Sequence, residues 1–169
     1  MAKKIFGLAA GFIIFVVGLP LAMRDVASIP LADQFIGSAP LRLTIAVILL
    51  IAGLSMAIAT IVYMNNVGQG GPADGLGIAV SQRTKKLMTS GPYRFCRNPM
   101  LLGTFIYLLA FGFMFNSLLS FAVPIVFILF MIWEIRTFEE PRLLADFGDE
   151  YKRYKQQTPM IFPRLKNNK

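Results

Sequence analysis

The chain of 169 residues is 56% hydrophobic and 15% charged, with a mean hydropathy of +0.61 and a net charge of +8. Soluble domains carry about a quarter charged residues, so this composition indicates a small, basic, integral membrane protein. The absence of histidine and the single cysteine exclude an intramolecular disulfide, a Cys/His zinc site and a histidine-based catalytic triad.

Four apolar segments approach the length of a membrane-spanning helix, which is about 17–25 residues. Lys3 and Lys4 precede the first segment, so a cleaved signal peptide is the alternative interpretation there. The remaining segments have no such alternative, and together the four predict about four transmembrane helices. They are Ile5–Met23, Leu41–Met64, Met100–Phe115 and Leu118–Trp133.

The last two apolar segments are predicted to form a tight helical hairpin, because only Asn116 and Ser117 separate them. Pro99 favours a helix start just before the first of the two, where the missing N–H of proline is not needed. After the second, Pro141 is expected to end or kink the helix. Arg142–Lys155 then has apolar residues at helical spacing, which predicts an amphipathic helix.

The predicted fold class is therefore an all-α integral membrane protein with a C-terminal hairpin and a cytoplasmic amphipathic C-terminal helix. Residues 1–64 would form an N-terminal pair of transmembrane helices, and residues 65–169 a second unit. Four spans place both termini on one side of the membrane, where 15 of the 17 Lys and Arg residues then fall. The positive-inside rule makes that side the cytoplasm. The glycines of Asn65–Gly77 lack dinucleotide-fingerprint spacing and predict an irregular loop.

The sequence contains two motifs. Residues 86–103 are K-L-M-T-S-G-P-Y-R-F-C-R-N-P-M-L-L-G, and from Glu139 onward the chain has the pattern E-E-P-x-L-x-x-x-F-G-x-x-Y-x-x-Y. They resemble the patterns L-V-T-S-G-P-Y-R-x-x-R-H-P-x-Y-x-G and E-E-x-x-L-x-x-x-F-G-x-x-Y-x-x-Y of the isoprenylcysteine carboxyl methyltransferase superfamily, which includes phospholipid N-methyltransferases. The two motifs flank the predicted hairpin. Asn98 and Leu101 replace the histidine and tyrosine of the usual pattern.

This resemblance implies a multi-pass methyltransferase with its catalytic core in residues 65–169. It implies S-adenosylmethionine as methyl donor, S-adenosylhomocysteine as product and a lipophilic acceptor that arrives from the bilayer. Whether a carboxylate, thiol or amine is methylated stays open, as does the oligomeric state, and no metal or nucleic acid is implied. The implied cofactor contacts are Lys85, Lys86, Leu87, Met88, Tyr93, Asn98, Pro99, Met100, Leu101, Glu139 and Glu140.

Two arginines are the candidate catalytic residues. Arg136 occupies the region where the superfamily has a substrate-contacting arginine. Arg97 lies at the predicted membrane boundary, where an unpaired charge is costly, and we assign it to the cofactor carboxylate or to Glu139. Because Arg136 and Glu140 are four residues apart on a helix, we expect them to pair and to leave Glu139 for a ligand.

The alternative function is a non-catalytic membrane scaffold or anionic-lipid-binding protein. Its support is the run of cations that includes Arg83, Lys85 and Lys86, because a basic patch next to a membrane span attracts anionic lipid headgroups. The two interpretations differ at the C-terminus. A scaffold would keep lipid binding if the chain ended after Trp133, whereas the methyltransferase would lose Glu139 and its cofactor site.

Overall fold

In the part of the chain that it describes, a computed structural model has five α-helices, short 3-10 and π-helical turns and one small ladder. The ladder joins β1 (Asp74–Gly75) to antiparallel β2 (Ile78–Ala79), within the region around the predicted irregular loop. The structure describes residue 9, residues 11–30, 34–68 and 84–163, and the backbone of 74–75 and 78–79. Predictions for Lys3, Lys4, Arg83, part of the glycine-rich loop and the residues after 163 lie outside the described residues.

The five helices follow the predicted order of apolar segments. A π-helical stretch, Phe12–Gly18, precedes the first helix and runs directly into it. Two 3-10 turns, Gly91–Arg94 and Leu119–Phe121, and a second π-helical turn, Ile135–Glu139, connect the later helices. The helices are α1 (Leu19–Ala27), α2 (Ala39–Val67), α3 (Pro99–Phe115), α4 (Ala122–Glu134) and α5 (Glu140–Gln157).

Two helical stretches among the described residues are long and apolar enough to cross a membrane. They are α2 and the continuous run Leu119–Gln157, which contains α4 and α5, whereas α3 is apolar but only 17 residues long. Large apolar side chains on α2, such as Ile48 and Ile51, are exposed, as expected of a surface that meets lipid. The predicted first span lies partly outside the described residues, so the count of four spans stays a prediction.

Close packing of α2 against α3 depends on small residues. A Cβ atom on Gly103 of α3 would lie 2.8 Å from the Ala57 nitrogen and the Gly53 oxygen of α2. Contact between Gly53 and Tyr107 on the same face shows that the two helices run antiparallel. Small residues let helix backbones approach in this way, which is a common means of helix association in membranes. The Tyr107 hydroxyl also donates to the Phe15 carbonyl and joins the first helical segment to this pair.

The structure contains the predicted tight hairpin. α3 begins at Pro99 and ends at Phe115, and Asn116 adopts a left-handed conformation (φ 53°) that reverses the chain. The Asn116 side-chain amide donates to the Ile36 carbonyl at 3.1 Å and accepts from the Ile36 N–H at 3.2 Å. The ring of Phe35 packs between Phe113 and Phe121, so this turn is held to the connection before α2.

The sequence predicted that Pro141 would either end or kink the helix, and the helix does not end there. It continues from α4 through the π-helical turn into α5, and Pro141 occupies the first turn of α5. The wider turn is closed by the Glu140 N–H, which donates to the Ile135 carbonyl five residues back. A break comes later, at Gly148, whose φ of 52° and ψ of −126° lie outside helical values. The predicted amphipathic segment, Arg142–Lys155, is thus part of α5.

Candidate functional site

A cavity of about 150 Å³ lies at the end of the helix bundle opposite Asn116. The end of α2, the start of α3, the end of α4 and α5 all contribute to it, together with the segment that precedes α3. Its lining is mostly apolar and rich in methionine, with two arginines and two glutamates. The lining residues are Met64, Thr84, Leu87, Met88, Tyr93, Arg97, Asn98, Pro99, Met100, Leu101, Met131, Glu134, Ile135, Glu139, Arg142, Leu143, Phe147, Tyr151 and Tyr154.

The cavity gathers most of the residues that the sequence nominated. Residues from both motifs line it, although 35 residues or more separate the two motifs in the chain. The nominated residues in the lining are Leu87, Met88, Tyr93, Arg97, Asn98, Pro99, Met100, Leu101 and Glu139. Among the described residues, the nominated ones outside the lining are Lys85, Lys86 and Arg136, which are exposed, and Glu140, which is buried behind Arg97.

Glu140 is the centre of a buried charge network beside the cavity. Arg97 Nη1 donates to Glu140 Oε1 at 2.7 Å, and Lys155 Nζ donates to Glu140 Oε2 at 2.6 Å. Arg97 also donates to the Tyr151 hydroxyl at 3.0 Å. Burial alone would raise the pKa of Glu140, but the hydrogen bonds and positive charges of Lys155 and Arg97 outweigh it and lower the pKa below its usual value.

The expected pairing of Arg136 with Glu140 was therefore wrong. The π-helical turn inserts one extra residue between them and changes which side chains share a face. Arg136 is exposed, and both oxygens of Glu140 accept from Arg97 and Lys155 instead. The prediction assumed an unbroken α-helix, in which residues four apart lie one above the other.

Arg97 lines the cavity with a buried guanidinium. Its side chain is only 10% exposed, and its Nε is buried without a hydrogen-bond partner among the described residues. A buried guanidinium N–H without an acceptor is costly. The Arg97 backbone N–H donates to the Pro159 carbonyl at 2.8 Å, which fixes the residue against the C-terminal segment.

Asn98, which replaces the histidine of the usual pattern, holds the same C-terminal segment. Its backbone N–H donates to the Met160 carbonyl at 3.0 Å and its side-chain Nδ2 donates to the same oxygen at 3.1 Å. The side chain therefore makes no hydrogen bond to the first turn of α3, where Asn98 is the N-terminal cap. The first N–H groups of α3, at Met100 and Leu101, belong to cavity-lining residues and favour an anionic ligand group.

Tyr93 and Tyr154 form another wall of the cavity. The Tyr154 hydroxyl donates to the Tyr93 carbonyl at 2.7 Å, and the Tyr93 ring lies 6.4 Å from that of Tyr63. Gly91 permits this approach, because its φ is 59° and a Cβ atom there would lie 2.6 Å from the Tyr63 ring. Burial, followed by the nearby charge of Glu139, raises the pKa of Tyr93, so its phenol is neutral at physiological pH.

Cys96 is not a nucleophile in this arrangement. Its side chain is fully buried, and burial raises the pKa of the thiol to about 11. Reactive cysteines instead have lowered pKa values and lie in partly exposed, electropositive surroundings.

Sequence reasoning missed several cavity residues, of which Glu134 and Arg142 carry charge. Glu134 is the last residue of α4 and only 6% exposed. The π-helical turn places Glu134 and Glu139, five residues apart, on the cavity side together, whereas a regular helix would separate them. The position of Glu134 in the sequence could have identified it as a candidate, because it is the first charged residue after the uncharged run Leu118–Trp133.

Two curated bacterial relatives match half of this chain. A cobalt-zinc-cadmium resistance protein, CzcN, of Cupriavidus metallidurans is 39% identical over 85 residues, which is 50% of this chain and 38% of the relative. A nickel-cobalt-cadmium resistance protein, NccN, of Alcaligenes xylosoxydans xylosoxydans is 33% identical over 85 residues, 50% of this chain and 39% of the relative. The matched region thus spans about two fifths of the length of each relative.

The family comparison covers more of the chain. The model of the phospholipid methyltransferase family matches residues 41–150, from the start of α2 into α5. This range contains the first motif and most of the second, and nearly all of the cavity lining. It confirms the resemblance drawn from the two motifs, and the chain belongs to the phospholipid methyltransferase family.

Proposed function

We propose that the protein is a membrane-embedded, S-adenosylmethionine-dependent methyltransferase that acts on a lipophilic acceptor. The observation that carries this proposal is the cavity, which brings the two family motifs together around paired charges and apolar walls. The family and the two candidate membrane spans support a membrane location. We further propose a multi-pass arrangement with both termini in the cytoplasm, on the distribution of cations.

The chemistry of the lining fits S-adenosylmethionine. Its amino acid portion carries an ammonium and a carboxylate, and the cavity offers the Glu139 carboxylate for the first and the positive charge of Arg97 for the second. The apolar and aromatic walls at Leu87, Met88 and Tyr93 suit a nucleoside. When bound, S-adenosylmethionine would supply an electrophilic methyl group on a sulfonium. Transfer breaks the carbon–sulfur bond, and the electron pair of that bond stays on sulfur.

The residues of this chain would act mainly by positioning and by excluding water. In-line methyl transfer needs the donor and the acceptor to be aligned at close range. A site that holds both reactants in this geometry converts a bimolecular reaction into an effectively unimolecular one, which lowers the barrier. Arg97 is rigid because Glu140, Tyr151 and the Pro159 carbonyl all hold it. The C-terminal segment lies beside the cavity, because Asn98 donates a hydrogen bond to the Met160 carbonyl of that segment. In this position the segment would limit the access of water to the cavity.

Calorimetric titration of the full chain in detergent with S-adenosylhomocysteine tests the proposal. We expect saturable binding that Glu139→Gln weakens at least tenfold. Glu150→Gln is the matched control, because Glu150 is exposed on the same helix and does not line the cavity among the described residues. Absence of binding in protein that is monodisperse and helical would overturn the proposal and favour a scaffold. If S-adenosylhomocysteine does bind, transfer of labelled methyl groups to a native lipid extract identifies the acceptor.

A further inference from the structure

The outward face of the helix that runs from α4 into the π-helical turn changes character along its length. Its exposed side chains are first aliphatic, then aromatic and finally cationic. In chain order they are Val126, Leu129, Phe130, Trp133 and Arg136. Trp133 is 51% exposed, and an exposed apolar patch of this kind marks a surface that meets either lipid or another protein. The order of the side chains distinguishes the two.

One leaflet of a bilayer presents the same order of environments. Aliphatic side chains suit the hydrocarbon, tryptophan is enriched at the membrane–water interface, and arginine pairs with the phosphate of a headgroup. Leu129 and Arg136 are seven residues apart, which is about 10 Å along a helix. The interfacial region on each side of a bilayer is about 5–8 Å thick. The change in side chains therefore takes place over the distance in which the membrane itself changes.

A deeper or a shallower position of this face would be unfavourable. A deeper position would bring Arg136 into the hydrocarbon, where a charge is costly. A shallower position would expose Val126 and Leu129 to water. A second protein could cover the face only if it matched the aliphatic, aromatic and cationic parts in that order, whereas every phospholipid leaflet does so. The face therefore fits a bilayer with Trp133 at the interface.

The π-helical turn adds another ring to the aromatic part. The ring of Trp133 lies 5.7 Å from that of Phe130 and meets the ring of Phe138 edge to face at 5.8 Å. Trp133 and Phe138 are five residues apart, and a regular α-helix would point them in different directions. The wider turn brings them together, so that three rings are in contact along the stretch that contains Arg136.

The segment before α3 has the same combination of residues. Phe95 is 52% exposed, and the guanidinium carbon of Arg94 lies 4.6 Å from the centre of its ring. Phe95 comes two residues before the cavity residue Arg97, and Trp133 comes directly before the cavity residue Glu134. Exposed aromatic rings and cations therefore accompany the cavity on two separate elements.

We propose that Phe130, Trp133, Phe138 and Arg136 form a lipid-binding surface, in which the rings lie at the membrane interface and Arg136 binds the phosphate of an anionic phospholipid. Charge complementarity supports this partner, because an arginine beside the membrane attracts anionic lipid and can donate two hydrogen bonds to one phosphate. The surface gives Arg136 a role outside the cavity, and it goes beyond the proposed function because it does not depend on methyl transfer.

The depth of the rings can be measured directly, because Trp133 is the single tryptophan of the chain. The full chain is placed in phosphatidylcholine bilayers that carry bromine either near the headgroup or near the end of the acyl chain, and bromine quenches tryptophan fluorescence only at close approach. We expect at least twofold stronger quenching from the shallow bromine. A smaller ratio, or no quenching by either lipid because a second copy covers the ring, overturns the proposal.

The phosphate contact is tested with shallow-brominated phosphatidylglycerol diluted in unbrominated phosphatidylcholine, against the same fraction of shallow-brominated phosphatidylcholine. We expect the phosphatidylglycerol to quench Trp133 at least twofold more. Arg136→Gln should abolish this preference and Arg136→Lys should retain it. Arg153→Gln, which removes an exposed cation from α5, is the charge-matched control and should leave it unchanged. No preference in the wild type, a preference that survives Arg136→Gln, or an equal loss in Arg153→Gln overturns the role of Arg136.

Discussion

Arg97 and Glu140 form a buried ion pair in which Nη1 lies 2.7 Å from Oε1 and the two side chains are only 10% and 9% exposed. The pair joins the end of the first motif to the second glutamate of the E-E pair, 43 residues later. The two glutamates consequently differ in environment. Glu139 lines the cavity. Glu140 does not, and its carboxylate instead accepts hydrogen bonds from Arg97 and Lys155.

Removal of Arg97 should destabilise the protein strongly. Arg97→Ala leaves the buried Glu140 carboxylate with only Lys155, and breaking a buried pair in this way costs about 3–5 kcal/mol. Lys152→Ala is the control, because its 2.8 Å pair with Asp149 is exposed and solvent-exposed pairs contribute little to stability. Denaturant unfolding in detergent measures both. Equal losses for the two variants would contradict a structural role for the buried pair.

The Glu140 network should weaken in acid. The native pKa of Glu140 is lowered from its usual 4.5, so its pairing stabilises the fold fully above that value. The stabilisation is lost as the pH falls below 4.5 and through the native pKa. The difference in unfolding free energy between wild type and Glu140→Gln should therefore be constant from pH 7 to pH 5 and shrink below pH 4.5.

A matched variant makes this pH dependence diagnostic. Glu150 is exposed on the same helix, so Glu150→Gln should show no comparable loss over the same pH range. The measurement is thermal unfolding of the purified protein at closely spaced pH values. A Glu140→Gln difference that grows as the pH falls would mean that the carboxylate is not held in its charged form.

Substitution at the crossing of α2 and α3 should separate the helices. A Cβ atom on Gly53 would lie 2.4 Å from the Tyr107 nitrogen and 2.6 Å from the Gly103 carbonyl oxygen, and both of these are backbone atoms of α3. Gly53→Ala should lower the yield of folded protein and its unfolding temperature. Gly37→Ala is the control, because nothing lies within 4 Å of the added carbon there. The two variants are compared by size-exclusion chromatography and thermal unfolding.

Gly148 should be required for the course of α5. Its φ of 52° and ψ of −126° cost a side-chain-bearing residue about 1–3 kcal/mol, although a Cβ atom would meet nothing within 4 Å. Gly148→Ala should therefore loosen Tyr151 and Tyr154 without any steric clash, seen as faster hydrogen exchange in that segment. Gly148→Asn should not rescue it, because asparagine tolerates the left-handed helical region and not this ψ. Unchanged exchange in both variants would contradict this account.

The sequence predicted what depends on local rules. Pro99 marks the start of α3, and the polar pair after Phe115 marks the hairpin, because proline and a short polar turn act on their own neighbours. The motif residues Tyr93, Asn98 and Glu139 were nominated by resemblance, and the structure places them around one cavity. Their role in binding a cofactor stays a prediction.

The sequence could not predict the partners of Arg97 or the place of Glu134 in the cavity lining. The π-helical turn at Ile135–Glu139 changes which side chains of this helix share a face, and the sequence contains no pattern that predicts such a turn. With regular helical spacing, Arg136 would stand over Glu140. Lys85 and Lys86 were nominated for their place before the first motif, but adjacent residues need not face the same way, and both are exposed.

The Asn116 amide pairs with both backbone groups of Ile36, as a neighbouring strand would, at the end of the bundle away from the cavity. These two hydrogen bonds tie the hairpin turn to the segment before α2. At the opposite end of the bundle, Met64 of α2 and Met131 of α4 line the cavity. For the lipophilic acceptor that we propose, entry from the bilayer is therefore expected at the Met64 and Met131 end and not at the Asn116 end.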